Sequence, residues 1–188
     1  MKTPFRHHPA AFTLIELMAV ITIIVILAGL VIGGMGYVNE KQASEKAKVQ
    51  IALLSKALEE YKMDNGTYPP TGNSTNPTAN TNLLFRALYF EGASDATGAK
   101  KIYLPELDPV NNKQGWTSGT GQAVTIVDPW GNQYRYRTAF SGAATPVANA
   151  DTQNPDFDLW SMGKDGKTRA GRNDSPSHPD NRDDIRNF

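Results

Sequence analysis

The chain reads as an α+β protein in which one very long N-terminal helix leads into a small head containing short strands. Three observations predict this. Residues 12–36, FTLIELMAVITIIVILAGLVIGGMG, form an apolar run with a single charge, Glu16. Behind it, apolar residues recur at helical spacing as far as Tyr61. Further on, segments 122–127 and 133–138 have strand character and flank Asp128-Pro129-Trp130-Gly131-Asn132, a sequence rich in turn formers.

The first element is a membrane-length helix. Residues 17–36 contain no ionisable side chain, and twenty helical residues at about 1.5 Å each cover roughly the hydrocarbon thickness of a bilayer. The leader, residues 1–11, is polar and carries Lys2 and Arg6 without an acidic residue. By the positive-inside bias it stays in the cytoplasm and the remainder lies outside. The small pair Ala10-Ala11 precedes the apolar run, whereas a secretory cleavage site follows one. The run therefore reads as an anchor. A carboxylate within such a span costs roughly 3 kcal/mol, so Glu16 is expected to have a partner.

The segment Ala11-Phe12-Thr13-Leu14-Ile15-Glu16-Leu17 resembles the processing site of type IV pilins and type II secretion pseudopilins. In that family a prepilin peptidase cuts before the Phe and methylates the new amino group. The resemblance implies processing between Ala11 and Phe12, and an assembly role for Glu16, whose carboxylate would face the Phe12 amino terminus of a neighbouring subunit. Ala11 stands where the family has Gly; its side chain is small, and slower processing is expected. The chemistry is self-consistent, because cleavage creates an α-amino group with a pKa near 8 at the membrane boundary, and opposite charges stabilise each other at low dielectric. A signal anchor whose Glu16 snorkels to the interface is the other reading of the same residues.

The helix is expected to continue beyond the span. Ala43, Ala47, Ile51, Leu54, Leu58 and Tyr61 define one face, while Glu40, Lys41, Glu45, Lys46, Lys48, Gln50, Lys56, Glu59 and Lys62 form a solvated face. Asn65-Gly66 supplies a left-handed stop and Pro69-Pro70 forbids continuation, so the helix should end near Asp64. Gly29, Gly33, Gly34 and Gly36 fit either a place where the helix bends or close packing in the membrane.

Residues 37–188 suffice for one domain. They contain no cysteine, which excludes disulfides and thiol metal chemistry. Net charge is zero and no basic run stands out, which argues against nucleic acid as a partner. Residues 71–82 are small or polar with one Pro and read as a loop; 83–91 form a short apolar helix closed by Gly92. In the strand 133–138, Tyr134 and Tyr136 share one face and Gln133, Arg135 and Arg137 the other; the arginines fit either contacts between heads or a solvated face. A third strand is expected at 157–162.

Four segments, 61–69 (YKMDNGTYP), 128–134 (DPWGNQY), 158–166 (DLWSMGKDG) and 183–188 (DDIRNF), are similar in order to segments of the major pseudopilins of type II secretion systems. Trp is usual in that family where Phe188 stands, and the loop 167–182 is longer than expected. The resemblance implies a type IV pilin-like fold, a long helix packed on a small antiparallel sheet whose last strand ends in an ion-binding loop. It also implies a homopolymeric pseudopilus in the bacterial inner membrane and periplasm. Partners would be prepilin peptidase, minor pseudopilins and an inner-membrane assembly platform, with a cytoplasmic ATPase driving growth.

Between Asp156 and Asp184 there are seven aspartates and no glutamate. Oxygen-rich loops suit calcium, which takes six to eight oxygen ligands, although solvated turns account for the same composition. The family holds calcium between the segment after its last strand and the Asp-Asp-Ile segment. That likeness makes Asp165 and Asp183 the leading ligands, followed by Asp184 and the carbonyl of Met162. No catalytic constellation is evident: His7 and His8 lie in the leader and His178 in a polar loop, remote from any Ser nucleophile. A structural subunit of a secretion pseudopilus is thus the expected function, with a type IV pilus subunit, or more distantly a membrane-anchored hydrolase or binding module, as alternatives.

Overall fold

The computed structural model describes residues 12–71, 80–89, 101–140, 148–149, 151–169 and 177–188. The first element, α1 (Leu14–Asn65), is a 52-residue helix. It remains helical through Gly29, Gly33, Gly34 and Gly36, where a Cβ would meet nothing within 4 Å. The helix ends as its local chemistry dictates. Gly66 takes φ +76° and donates its N–H to the Lys62 carbonyl at 2.8 Å, while the Asn65 side-chain amide donates to the Tyr61 carbonyl at 2.9 Å.

The chain divides into two compact units between Lys41 and Gln42. In the first, every large apolar side chain along α1 is exposed, Ile15 by 75% and Ile32 by 73%. The second contains the core. There α1 buries Ala47, Ile51, Leu54 and Leu58 of the face its three-and-four spacing predicts, together with Gln50 and Ala57, while Ala43 and Tyr61 are half-buried. Against them lie Leu84, Phe85 and Leu88 of α2 (Asn80–Leu88), Leu104, Leu107, Trp116, Ile126, Tyr134, Tyr136 and Leu159.

Among the described residues, five short strands form two antiparallel sheets: β1 (Thr117–Ser118) with β2 (Thr125–Ile126), and β3 (Arg135–Thr138), β4 (Phe157–Ser161) and β5 (Ile185–Arg186) in the order β3-β4-β5. A bridge between Val127 and Gln133 joins the two sheets around the Asp128 turn. In that turn the Asp128 carboxylate accepts the backbone N–H groups of Trp130 and Asn132, and Gly131 takes φ +89°. A second clasp ties the end of α1 to the start of β4. Lys62 donates to the Tyr68 hydroxyl at 3.1 Å and to Asp156 at 3.0 Å, contacts that raise its pKa to about 12, and Tyr68 donates to Glu59.

The elements depart from expectation in identifiable ways. The segment 122–127 is a strand only at its end, because Gly121, with φ +56°, opens a 3-10 turn over Gly121–Ala123. The loop expected over 71–82 ends early: α2 begins at Asn80, and the Thr81 hydroxyl donates to Gln133 and the Asn82 amide to the Val124 carbonyl. Phe90, Glu91 and Gly92, the expected end of that helix, lie outside the described residues.

Gln50 is not solvated. It is 1% exposed and accepts the Tyr134 hydroxyl at 2.7 Å. Nor is Arg137 free for another head: it is buried, its guanidinium 3.0 Å from Asp158 of β4 and 5.2 Å from the centre of the Trp160 ring. Arg135 also turns inward, donating to the Met162 sulfur at 3.1 and 3.2 Å.

Candidate functional site

At the N-terminus, Phe12 is 83% exposed and Ala11 lies outside the described residues. Thr13 is the residue just before α1, and its backbone N–H and hydroxyl both donate to Glu16 Oε2 at 3.0 Å. In return the Glu16 N–H donates to the Thr13 hydroxyl at 3.3 Å. This is a capping box, which satisfies otherwise orphaned donors at a helix start. Thr13 is a site residue that the sequence spells out through its Thr-x-x-Glu spacing, although a processing motif draws attention to Glu16 alone. Downstream, the helix is long and apolar enough to cross a membrane.

The C-terminal loop closes on the end of β4. Gly163, at φ +64°, lets the chain turn against the Asp-Asp segment: a Cβ there would stand 2.5 Å from Asp183 Oδ2. The Gly163 carbonyl accepts the Asn132 side-chain amide at 2.7 Å, so the Asp128 turn supports this loop from below. Ser161 adds to that support, donating to Asp128 Oδ2 at 2.6 Å and accepting the Gly163 N–H. Burial pushes the Asp128 carboxyl up, against the lowering effect of these hydrogen bonds.

Of the four expected ligands, Asp165 and Asp183 are brought together: the Asp165 N–H donates to Asp183 Oδ2 at 3.0 Å. Asp184 faces elsewhere with one oxygen. Its Oδ2 accepts the Thr168 hydroxyl and the Arg186 guanidinium, each at 2.7 Å, while Oδ1 is buried and meets no donor among the described residues. Burial raises the Asp184 pKa, and the Thr168 and Arg186 hydrogen bonds oppose that rise. The Met162 side chain is engaged through its sulfur by Arg135, which leaves its carbonyl as the group relevant to an ion. Among the described residues no three His, Cys, Asp or Glu side chains gather in a group that could hold a metal. Asp158 and Asp180 are committed elsewhere, to Arg137 and to Arg169 with His178. His178 caps a 3-10 turn, Pro179–Asn181.

Residues 6–32 match the family model described as the prokaryotic N-terminal methylation motif, and residues 35–82 match that of type II secretion system protein G. A type II secretion system core protein G of Pseudomonas aeruginosa is 32% identical over 171 residues, covering 90% of this chain and 94% of the relative. The chain belongs to the type II secretion core protein G family. The core protein G of Aeromonas hydrophila is 30% identical, over 90% of this chain and 91% of its own length. That of Vibrio cholerae is 34% identical over 127 residues, 66% of this chain and 68% of the relative. As a core protein G, the chain is a major pseudopilin of type IV pilin-like fold, a structural subunit anchored through its apolar helix. The methylation motif spans Ala11, Phe12, Thr13 and Glu16, so the capping box sits within the prepilin-peptidase processing signal.

Proposed function

We propose that this core protein G is cut between Ala11 and Phe12, methylated at Phe12, and drawn from the inner membrane into a helical homopolymer whose growth pushes folded proteins through an outer-membrane channel. The leader lies in the cytoplasm and the head in the periplasm. The observation that carries this reading is Glu16, the one charged residue of the exposed apolar run 12–36, placed within a methylation motif. In the subunit, Thr13 satisfies that carboxylate locally. In the polymer, the Phe12 amino group of a neighbour supplies an opposite charge in a low-dielectric surrounding, which is a stronger partner. Prepilin peptidase, minor pseudopilins and an inner-membrane platform are the partners in this scheme, and the subunit itself performs no catalysis. Co-expression with a prepilin peptidase tests it. Mass spectrometry should find a methylated Phe12 terminus and electron microscopy should find filaments; an intact Met1 terminus or solitary subunits after maturation would refute it.

The same reading gives the C-terminal loop to calcium, with Asp165, Asp183, Asp184 and the Met162 carbonyl as ligands. The donor set is all oxygen, as calcium requires, and a buried carboxylate oxygen that meets no donor among the described residues, Asp184 Oδ1, is the kind of group that a cation satisfies. When bound, the ion would fasten the Asp183-Asp184 segment to the end of β4, so that heads survive extraction and pack in register. Calcium should raise the melting temperature and EDTA should lower it; no change in either direction would remove the ion from the scheme.

A further inference from the structure

Five residues of the C-terminal region close into a ring of contacts. The Trp160 indole N–H donates to the Thr168 hydroxyl at 3.1 Å, and that hydroxyl donates to Asp184 Oδ2 at 2.7 Å. Arg186 donates to the same oxygen and lies 5.4 Å from the centre of the Phe188 ring, which meets Trp160 edge-on at 6.1 Å. The directions of these bonds are fixed by chemistry. An indole N–H can only donate, so the Thr168 oxygen must accept it, and the single hydroxyl proton is left to go to Asp184. Both donors converge on Oδ2, and the Asp184 side chain is fully buried. Its other oxygen is left in the interior without a donor among the described residues.

We propose that Thr168 is a positioning residue of the calcium site: pinned by the Trp160 indole, it holds Asp184 by Oδ2 and reserves Oδ1 for the divalent cation. The inference rests on the calcium reading above and adds residues that the ligand set does not contain. Arg186 alone would anchor the carboxylate at one point and leave it free to turn about that contact. A second donor, itself fixed by a buried tryptophan, removes that freedom. Partners of this kind orient a ligand without touching the ion, and their loss weakens metal binding about 10–100-fold.

The full chain in detergent micelles, titrated with calcium chloride in a calorimeter, tests the proposal, with melting temperatures recorded in EDTA alongside. Thr168→Val, which keeps the shape and removes the hydroxyl, should bind calcium about 10–100-fold more weakly. Thr168→Ser, which restores the hydroxyl, should recover affinity. Valine binding calcium as tightly as the parent would overturn the proposal, as would serine binding no better than valine. So would a Thr168→Val loss of melting temperature that is equal in EDTA and in calcium, since that marks a purely structural contact or a water at Oδ1. If the parent chain itself binds no calcium, the calcium reading falls and this inference falls with it. Parental binding that is indifferent to Thr168 sinks only the inference.

Discussion

Thr13 and Glu16 hold each other through three hydrogen bonds, two donated to Glu16 Oε2 and one returned to the Thr13 hydroxyl. The helix start of the subunit is therefore capped before any neighbour arrives, and a cap of this type is worth about 1 kcal/mol. Pairing with a neighbour's amino group has to exceed only that small local stabilisation. Glu16→Ala should leave the apolar helix in the membrane fraction and abolish filaments. Thr13→Val removes only the local hydroxyl, so filaments should persist. Fractionation and electron microscopy of the two variants check this; normal filaments from Glu16→Ala would refute intermolecular pairing.

Arg137 and Asp158 face each other across β3 and β4, in register, with side chains 11% and 0% exposed. Asp158 also accepts the backbone N–H groups of Gln153 and Asn154, so its charge organises the approach to β4. Removing one member of such a pair leaves the other charge buried, which costs about 3–5 kcal/mol. Arg137→Met should accordingly show a markedly lower urea midpoint with an unchanged m-value. A midpoint within error of the parent would mean that the pair is solvated after all.

The Asp128 carboxyl gives a prediction with a definite sign. Burial raises its pKa in the folded head above the ordinary carboxylate value. A carboxyl raised in this way contributes most to stability below its unfolded-state pKa, and that contribution is lost as pH rises through the folded value. Asp128→Asn cannot titrate. Melting temperatures of the two proteins between about pH 3 and pH 7 should show the parent gaining on the variant as pH falls through that range. A difference that stays flat, or that favours the parent increasingly at higher pH, would contradict the assignment.

What the sequence made legible follows the range of the interactions. The buried face of α1 and its Asn65-Gly66 stop are written in residues three or four apart, and both stand in the fold. The Asp128 turn is equally local. β1 and β5 are two residues each and exist only because Thr117 meets Ile126 and Arg186 meets Trp160. No propensity window detects strands of that length. Gln50 and Arg137 look solvated by pattern, because alternation cannot show that Tyr134 or Asp158 lies opposite. At the C-terminal loop the aspartates are visible as composition. Which oxygen of Asp184 is already committed depends on Thr168 and Arg186, residues with no ligand signature of their own.

Gly163 offers the sharpest separation between strain and contact. It shares a positive φ with Gly66, +64° against +76°, and a side chain in that region costs roughly 1–2 kcal/mol at either position. The surroundings differ. At Gly66 a Cβ meets nothing within 4 Å among the described residues, whereas at Gly163 it runs into the backbone carbonyl and carboxylate of Asp183. Overpacking of this kind adds about 1–3 kcal/mol and displaces the Asp183 segment from the end of β4. Gly66→Ala should therefore lower the melting temperature modestly. Gly163→Ala should lower it about twofold further and should also abolish any calcium-dependent stabilisation, because Asp183 is the residue that moves. Equal losses for the two alanine variants, with calcium stabilisation retained, would show that the loop closes on β4 without the close approach at Gly163.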